Sequence, residues 1–176
     1  DDLARMNAAA RLEFRKKVQA VFQDPYACYN PFYRENHALK FPYENFGIGG
    51  DVNRAMEAAC EAVGLDPSLV LGRYPHQLSG GQRQRLIVAR ALMLSPQLLI
   101  ADEPVSMVDA SLRATILKNI HDLKDQHGIS ILYITHDLAT AYHVSDYVMV
   151  LYKGHVVEAG PPAAVIGAPQ PPYTQL

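Results

Sequence analysis

Apolar segments of two kinds alternate along the second half of the chain. Short, wholly apolar runs predict strands that are covered on both faces, whereas apolar residues at every third or fourth position predict helices. The predicted order is a buried strand at 98–101, a helix at 111–127, a buried strand at 129–134, a helix at 137–144, a strand at 147–152 and an edge hairpin that ends at 158. Strands that alternate with helices indicate an α/β fold with a mostly parallel sheet.

The first half of the chain is mainly helical in pattern. Helical spacing at 1–13, with no cap or lead-in, comes before a short strand at 18–22. Further helices are predicted at 51–63 and 83–94. We therefore expect residues 30–90 to be all-helical and separate from the strands on either side.

Aromatic residues are concentrated in the segment that follows the first strand. They are Tyr26, Tyr29, Phe32, Tyr33, Phe41, Tyr43 and Phe46. Two interpretations are open for this segment. It forms a small satellite core beneath a loop, or it forms a groove for a partner, since clustered Tyr and Phe are typical of interface anchors.

Composition narrows the class of protein. A chain of 176 residues with 49% hydrophobic residues can bury the core of one domain, and a net charge of −2 gives no electrostatic reason to expect a nucleic acid. No apolar run approaches the roughly twenty residues that span a bilayer, and no signal-peptide pattern opens the chain. Cys28 and Cys60 have no metal-ligand spacing, so we expect buried thiols in a reducing cytoplasm.

The string Leu-Ser-Gly-Gly-Gln-Arg-Gln-Arg at 78–85 runs into the helical pattern at 83–94. Serine is a preferred N-cap, and free amides at the positive end of a helix dipole attract anions. For the Ser-Gly-Gly alone, an ordinary capped helix is the simpler interpretation. The whole string carries more information, because an apolar run that ends in Asp-Glu follows it after about twenty residues.

Polar side chains follow three of the predicted strands. They are Gln23, then Asp102 and Glu103, and then His136 between Thr135 and Asp137. The carboxyl ends of strands in open α/β sheets are where ligands bind. Asp can hold a hydrated divalent metal beside a Gln oxygen, a second carboxylate can polarise a water, and His can stabilise a phosphoryl oxygen. This set indicates metal-assisted phosphoanhydride hydrolysis, and it fits glycoside hydrolysis poorly because chain neighbours usually point apart.

Five segments resemble, in order and approximate spacing, the motifs of the ATP-binding subunits of ABC transporters. They are Gln23 (Q-loop), 78–82 (signature motif), 98–103 (Walker B strand and its adjoining glutamate), 106–109 (D-loop, with Met-Val where Ala-Leu is commoner) and 134–137 (switch histidine). The resemblance covers nearly the whole chain. It implies a P-loop NTPase (RecA-like) core with a mostly parallel sheet and an inserted helical subdomain. The expected division is 1–29 partial core, 30–90 helical subdomain with the signature motif, 91–160 core and 161–176 tail.

The resemblance also implies a role for each matching residue. Asp102 would bind Mg²⁺ through its water shell, and Gln23 would sense the metal and the γ-phosphate of ATP. Glu103 would activate the attacking water, and His136 would contact the γ-phosphate. The residues expected to contact nucleotide from the signature motif and the D-loop are Ser79, Gly80, Gly81, Gln82 and Asp109. Ser79 and Gly81 would meet the ATP of a second ATPase subunit, so the signature helix is expected to face outward.

One departure from the family pattern is the phosphate-binding loop. P-loop enzymes hold phosphates with G-x-x-x-x-G-K-[ST], and no Gly-Lys dipeptide occurs in this chain. We therefore expect an internal fragment of a longer subunit that lacks the N-terminal part of its core. Such a fragment would neither bind ATP tightly nor hydrolyse it alone.

Two segments resemble the oligopeptide and dipeptide importers within this family. They are 103–111 and the Pro-Tyr-Thr-Gln at 172–175, although a proline-rich linker is an alternative for the second. An importer implies a prokaryotic subunit on the cytoplasmic face of the inner membrane. Its partners would be a second ATPase subunit, permease subunits bound at the aromatic segment and, indirectly, a substrate-binding protein. Substrates in this branch are peptides, oligosaccharides or nickel, and no nucleic acid is expected.

Two other functions remain open at this stage. A non-transport ABC ATPase that acts on DNA or ribosomes would usually carry long charged insertions, which this chain lacks. A non-catalytic module would contribute only its Ser-Gly-Gly helix to a partner's ATP. The presence of Glu103 and His136 argues against the second function for the complete subunit.

Overall fold

The computed structural model describes residues 3–24, 28–105 and 110–175. The chain divides into two compact units, Asp1–Leu132 and Tyr133–Leu176. Within the described ranges, no helix combines the length and the apolar character that a bilayer crossing requires.

Along the chain of the first unit, short strands are preceded and followed by helices. Its elements are a 3₁₀ turn at Leu3–Arg5, α1 Ala8–Lys17, β1 Val18–Val21, α2 Glu35–Asn45, α3 Val52–Ala62, α4 Pro67–Val70, a 3₁₀ turn at Pro75–Gln77, α5 Gly80–Leu92, β2 Leu98–Asp102 and α6 Ala110–His127. β3 Ser130–Ile134 begins in this unit and crosses the boundary. The order confirms the α/β architecture, and all four helices between β1 and β2 lie in the predicted helical region.

The sheet has the strand order β1-β2-β3. β1 and β2 are parallel, in a register that pairs Val18 with Leu98 and Val21 with Ala101. The amide of Gln97 donates to the carbonyl of Lys17 at 2.8 Å, and its carbonyl accepts from Ser130 at 3.0 Å, so Gln97 joins the beginnings of all three strands. The carboxyl ends of β1 and β2 therefore lie at the same edge.

The core of the first unit forms where α5 packs onto β1. Leu86 and Ile87 of α5 and Val21 and Leu99 of the strands are each at most 1% exposed. Burial of a side chain of this size stabilises the fold by about 1.5–3 kcal/mol. The packing holds the helix that begins at Gly80 in a fixed position relative to β1 and β2.

The second unit is built around a hairpin. Its elements after β3 are α7 Leu138–Val144, β4 Val148–Tyr152, β5 His155–Gly160 and α8 Pro162–Val165. β4 and β5 are antiparallel, and Lys153 and Gly154 at their turn have positive φ, as two-residue hairpin turns require. The C-terminal segment packs back on this hairpin, because the Gln170 amide donates to Glu158 Oε1 at 3.1 Å and the Tyr173 ring lies 4.3 Å from that of Tyr152.

Two helix predictions were wrong. The helix predicted at 1–13 without a cap instead runs over Ala8–Lys17, and Asn7 caps it by accepting the Ala10 amide at 2.8 Å. The aromatic segment contains α2, which lies within the region 30–90 that was expected to be helical and has Pro42 inside it. The helix predicted from residue 83 begins earlier, at Gly80, and ends at Leu92.

The expectation that 129–134 is a buried strand was also wrong. β3 alternates between exposed and half-buried positions, and Leu132 is 41% exposed. An apolar run is buried on both faces only where a layer packs on each face. Cys60 is buried as expected, whereas Cys28 is only partly buried, and both are free thiols.

Candidate functional site

Gln23 and Glu103 meet at the carboxyl edge of the β1–β2 pair. Each lies two residues beyond the paired Val21 and Ala101, so parallel register brings the two side chains to the same level. The Gln23 Nε2 donates to the Glu103 Oε2 at 2.8 Å. A hydrogen bond to a carboxylate is about twice as strong as a neutral one, so the Gln23 amide fixes one oxygen of Glu103.

Asp102 and Glu103 are placed by different backbone conformations. Asp102 is the last residue of β2 and is half-buried. Glu103 has φ of +45°, a left-handed conformation that costs a residue with a Cβ about 1–2 kcal/mol. Buried Pro104 and Val105 follow directly and hold the turn. The backbone conformation therefore changes between the two neighbouring carboxylates, from extended at Asp102 to left-handed at Glu103.

The donor atoms at this edge fit a hydrated magnesium ion. Because Gln23 uses its Nε2 to bind Glu103, its Oε1 is the atom that remains for a ligand. The carboxylate of Asp102 is a second oxygen donor. Among the residues with described positions, no three His, Cys, Asp or Glu side chains form a closed metal cluster. Mg²⁺ in proteins usually has one or two protein oxygens and several waters as ligands.

Ser79 forms the N-cap of α5 in a reciprocal capping box. The Ser79 Oγ accepts from the Gln82 amide at 3.2 Å, and the Gln82 Oε1 accepts from the Ser79 amide at 2.9 Å. The first amides of an α-helix have no intrahelical acceptor, so Gly80 and Gly81 carry the donors that an anion would take. Ser79 is exposed and Gly81 is buried, so an anion would approach from the Ser79 side.

His136 belongs to the second unit. It is exposed and follows β3 directly before Asp137, which caps α7 by accepting the Ala139 amide at 3.0 Å. Its proximity to Glu103 remains a prediction. Asp109 and the rest of the D-loop, 106–109, lie outside the described residues.

The aromatic segment divides between core and surface. Tyr43 is buried, and its hydroxyl donates to the Gly49 carbonyl at 2.8 Å. Tyr33 and Phe41 are more than half exposed. The ring of His37 lies between them, with centroids 4.3 Å from Tyr33 and 5.7 Å from Phe41. Tyr43 therefore fits the core interpretation, whereas a partner groove at the exposed residues remains a prediction. Tyr26 lies outside the described residues.

A cavity of about 430 Å³ opens beside this stack. We call it the aromatic groove; its lining includes Tyr29, Tyr33, Glu35, His37, Ala38, Phe41, Phe46 and Arg90. Sequence reasoning missed Glu35, which lines the groove although it is only 1% exposed. Glu35 lies in the first turn of α2, where an acidic residue is ordinary in any helix, so no sequence pattern marks it.

Comparison with known proteins places these features in a family context. The family model described as ABC transporter matches residues 2–106. The chain is 44% identical to a putative peptide import ATP-binding protein of Brucella abortus, over 97% of this chain and 52% of the relative. It is 42% identical to the oligopeptide transport ATP-binding protein AppF of Bacillus subtilis, over 94% of this chain and 50% of that protein. The chain thus spans about half the length of these relatives.

Solved structures show the same fold. CbiO1 of Clostridium perfringens, part of the ABC transporter complex cbiONQ, superposes with a TM-score of 0.78 at 25% identity, over 92% of this chain and 64% of that one. An ATP-binding cassette solved as a dimer with ADP and Pi superposes with a TM-score of 0.75 at 21% identity, over 90% of this chain and 68% of that one. The chain therefore has the α/β fold of the P-loop ATPases.

Proposed function

The chain belongs to the ABC transporter family, and on that premise we propose that it carries the hydrolytic centre of an ATP-driven peptide importer. The observation that supports this most directly is the 2.8 Å hydrogen bond between Gln23 and Glu103 at the carboxyl edge of parallel strands. Glu103 accepts this hydrogen bond from a neutral amide, and in the proposal its carboxylate serves as the base. Hydrolysis of a phosphoanhydride by water needs such a base.

In the proposed mechanism, Glu103 accepts a proton from the water that attacks the γ-phosphoryl group of ATP. Gln23 orients Glu103 through its Nε2, and its Oε1 and the carboxylate of Asp102 would hold a magnesium ion through its waters. When bound, the ion neutralises negative charge on the phosphates. His136 donates to a γ-phosphate oxygen as charge develops there. The 176 residues contain no Gly-Lys dipeptide, so the phosphate-binding loop has to be supplied from outside them.

A second ATPase subunit completes the proposed site. Ser79, Gly80 and Gly81 begin an exposed helix N-terminus, which is suited to a phosphate held by another subunit. Gln82 locks the cap, and Asp109 is assigned to the same subunit interface. A related cassette was solved as a dimer in a post-hydrolysis state, which supports this arrangement. The aromatic groove is the proposed contact with permease subunits, which would hold the chain at the membrane surface.

Substitution of Ser79 separates its capping role from its proposed phosphate contact. Ser79→Ala removes the acceptor for the Gln82 amide and should lower the free energy of unfolding by about 1 kcal/mol. Ser79→Asp keeps a capping oxygen, so stability should stay near that of the wild type. Its negative charge should nevertheless prevent ATP-dependent association of two subunits. Urea unfolding and sedimentation with and without ATP measure the two effects, and normal association of Ser79→Asp would contradict the phosphate contact.

Peptide uptake tests the proposed function. The product of this chain's gene is purified with its membrane subunits and reconstituted into liposomes, with a labelled dipeptide, oligopeptide, glutathione, oligosaccharide or Ni²⁺ outside. We expect uptake of a peptide that requires ATP and Mg²⁺, since the relatives are named for peptide import. Uptake of only the oligosaccharide or Ni²⁺ would contradict the peptide assignment. ATP hydrolysis that DNA or ribosomes stimulate, without any uptake, would instead support a non-transport ATPase.

A further inference from the structure

Glu35 is a buried acid whose hydrogen-bonding capacity is unused. It is 1% exposed, and neither Oε1 nor Oε2 has a hydrogen-bond partner among the described residues. Only its main chain is fixed, through an amide that donates to the Arg73 carbonyl at 2.9 Å. Buried polar atoms in native proteins nearly always have partners, so two unpartnered oxygens on one side chain call for an explanation.

The surroundings of Glu35 do not compensate for its burial. Desolvation raises the pKa of Glu35 to about 7, and the nearby charges of Arg83 and Arg90 only partly oppose that effect. The two arginines on α5 therefore attract the carboxylate from a distance without replacing the water that it has lost. A group that donates hydrogen bonds directly to Glu35 would remove this penalty.

The aromatic groove offers that group a path to Glu35. Its wall is the stack of Tyr33, His37 and Phe41, whose ring faces attract cations. Pro42 inside α2 has no N–H to donate to the carbonyl of Ala38, which also lines the groove. A buried carboxylate without a hydrogen-bond donor is complementary to an ammonium or guanidinium group.

Two arginines, Arg34 and Arg90, line the groove, and neither donates a hydrogen bond to Glu35. The Arg34 guanidinium lies 5.4 Å from the centre of the Tyr74 ring. Arg90 contributes charge but no hydrogen bond to either Glu35 oxygen. Tyr29 and Cys28 are neutral at pH 7, because burial raises the pKa of each above its ordinary value. Glu35 is thus the acidic side chain of this groove.

We propose that Glu35 is the recognition point for a lysine or arginine side chain that a permease segment inserts into the aromatic groove. The proposal rests on the proposed function, since it specifies the chemistry of the membrane partner. The basic side chain passes over the aromatic stack and donates to the carboxylate at the base of the groove. Apolar residues of the same segment cover Tyr33 and Phe41. Glu35 therefore selects which permease segment can bind.

Designed peptides test this charge recognition on the complete subunit that contains these 176 residues. The probe is a short amphipathic helical peptide, acetylated and amidated, with one lysine at the centre of its apolar face. The matched probes carry norleucine or glutamate at that position. Dissociation constants are measured by isothermal titration at pH 8 for the wild type, for Glu35→Gln and for Glu44→Gln, an exposed position on the same helix. We expect the lysine peptide to bind the wild type at least about tenfold more tightly than the norleucine peptide.

The variants decide whether Glu35 is responsible. In Glu35→Gln the preference for lysine should disappear while the norleucine peptide still binds, and in Glu44→Gln the preference should persist. Failure of every peptide to bind, or tighter binding of the glutamate or norleucine peptide to the wild type, would overturn the proposal. Self-association of the chain that Glu35→Gln abolishes would assign the groove to a second copy and also overturn it. No ATP is present in these titrations, so their result is independent of the test by peptide uptake.

Discussion

Replacing Glu103 by Gln should lower steady-state ATP hydrolysis by at least about a hundredfold in the assembled importer. The amide oxygen of glutamine can still accept the 2.8 Å hydrogen bond from Gln23 Nε2, so the geometry of the strand end should be preserved. The amide cannot, however, take a proton from water. The variant therefore loses proton transfer from water while the geometry is kept. Release of inorganic phosphate under saturating ATP measures the loss of hydrolysis.

Two further measurements separate the loss of a base from damage to the fold. ATP-dependent association of the Glu103→Gln subunits should persist and last longer than in the wild type, because the bound nucleotide is no longer consumed. Glu57→Gln, at an exposed position on α3, makes the same change of charge away from the strand ends and should leave turnover unchanged. Turnover of Glu103→Gln equal to that of the wild type would refute the role of Glu103 as the base.

Replacing Glu35 by Gln should make the isolated chain more stable than the wild type at pH 8, but not at pH 4. The folded-state pKa of Glu35 is about 7, against an ordinary value of 4.5. Between these two values the folded chain retains a proton that the unfolded chain releases. Rising pH therefore favours unfolding of the wild type across this window. At 1.36 kcal/mol per pKa unit, the difference in free energy of unfolding should reach about 3 kcal/mol above pH 7.

Urea unfolding of both proteins at a series of pH values measures this difference. The comparison with the variant cancels the contributions of all other titrating groups, which both proteins share. Glu44→Gln provides the control, because Glu44 is exposed and only forms a surface ion pair with Lys40 at 3.3 Å. A difference that stays constant from pH 4 to pH 8, or a variant that is less stable at pH 8, would contradict an unpaired buried carboxylate at position 35.

The part of the site that follows from strand order could be predicted from the sequence. Apolar runs located β1 and β2, and the meeting of parallel strand ends at one edge then brought Gln23 near Glu103. The motif at Ser79 predicted a capped helix, and the reciprocal bonds with Gln82 are the usual form of that cap. Local chemistry was sufficient in these cases, because each prediction depended on residues close in sequence or on a fixed rule of sheet geometry.

The remaining features depend on packing between distant segments, which periodicity does not encode. In the sequence, Glu35 is an ordinary acidic residue for the first turn of a helix. Packing of α2 against α5 buries its side chain near Arg83 and Arg90. The apolar run of β3 predicts a buried strand, although every second position of the strand is exposed. The bounds of α2 did not follow from the apolar pattern; in the structure Leu39 and Tyr43 pack into the core on either side of Pro42.

The register of β1 and β2 limits how the length of this region can vary. Gln23 and Glu103 each follow the Val21–Ala101 pair at the same distance along the chain. Insertion or deletion of one residue on either side would move one partner by about 3.3 Å and turn its side chain to the other face. Substitutions at the intervening Phe22, which is 57% exposed, leave that spacing intact. Laboratory libraries can therefore vary the residue at position 22, but they have to keep the length of the segment.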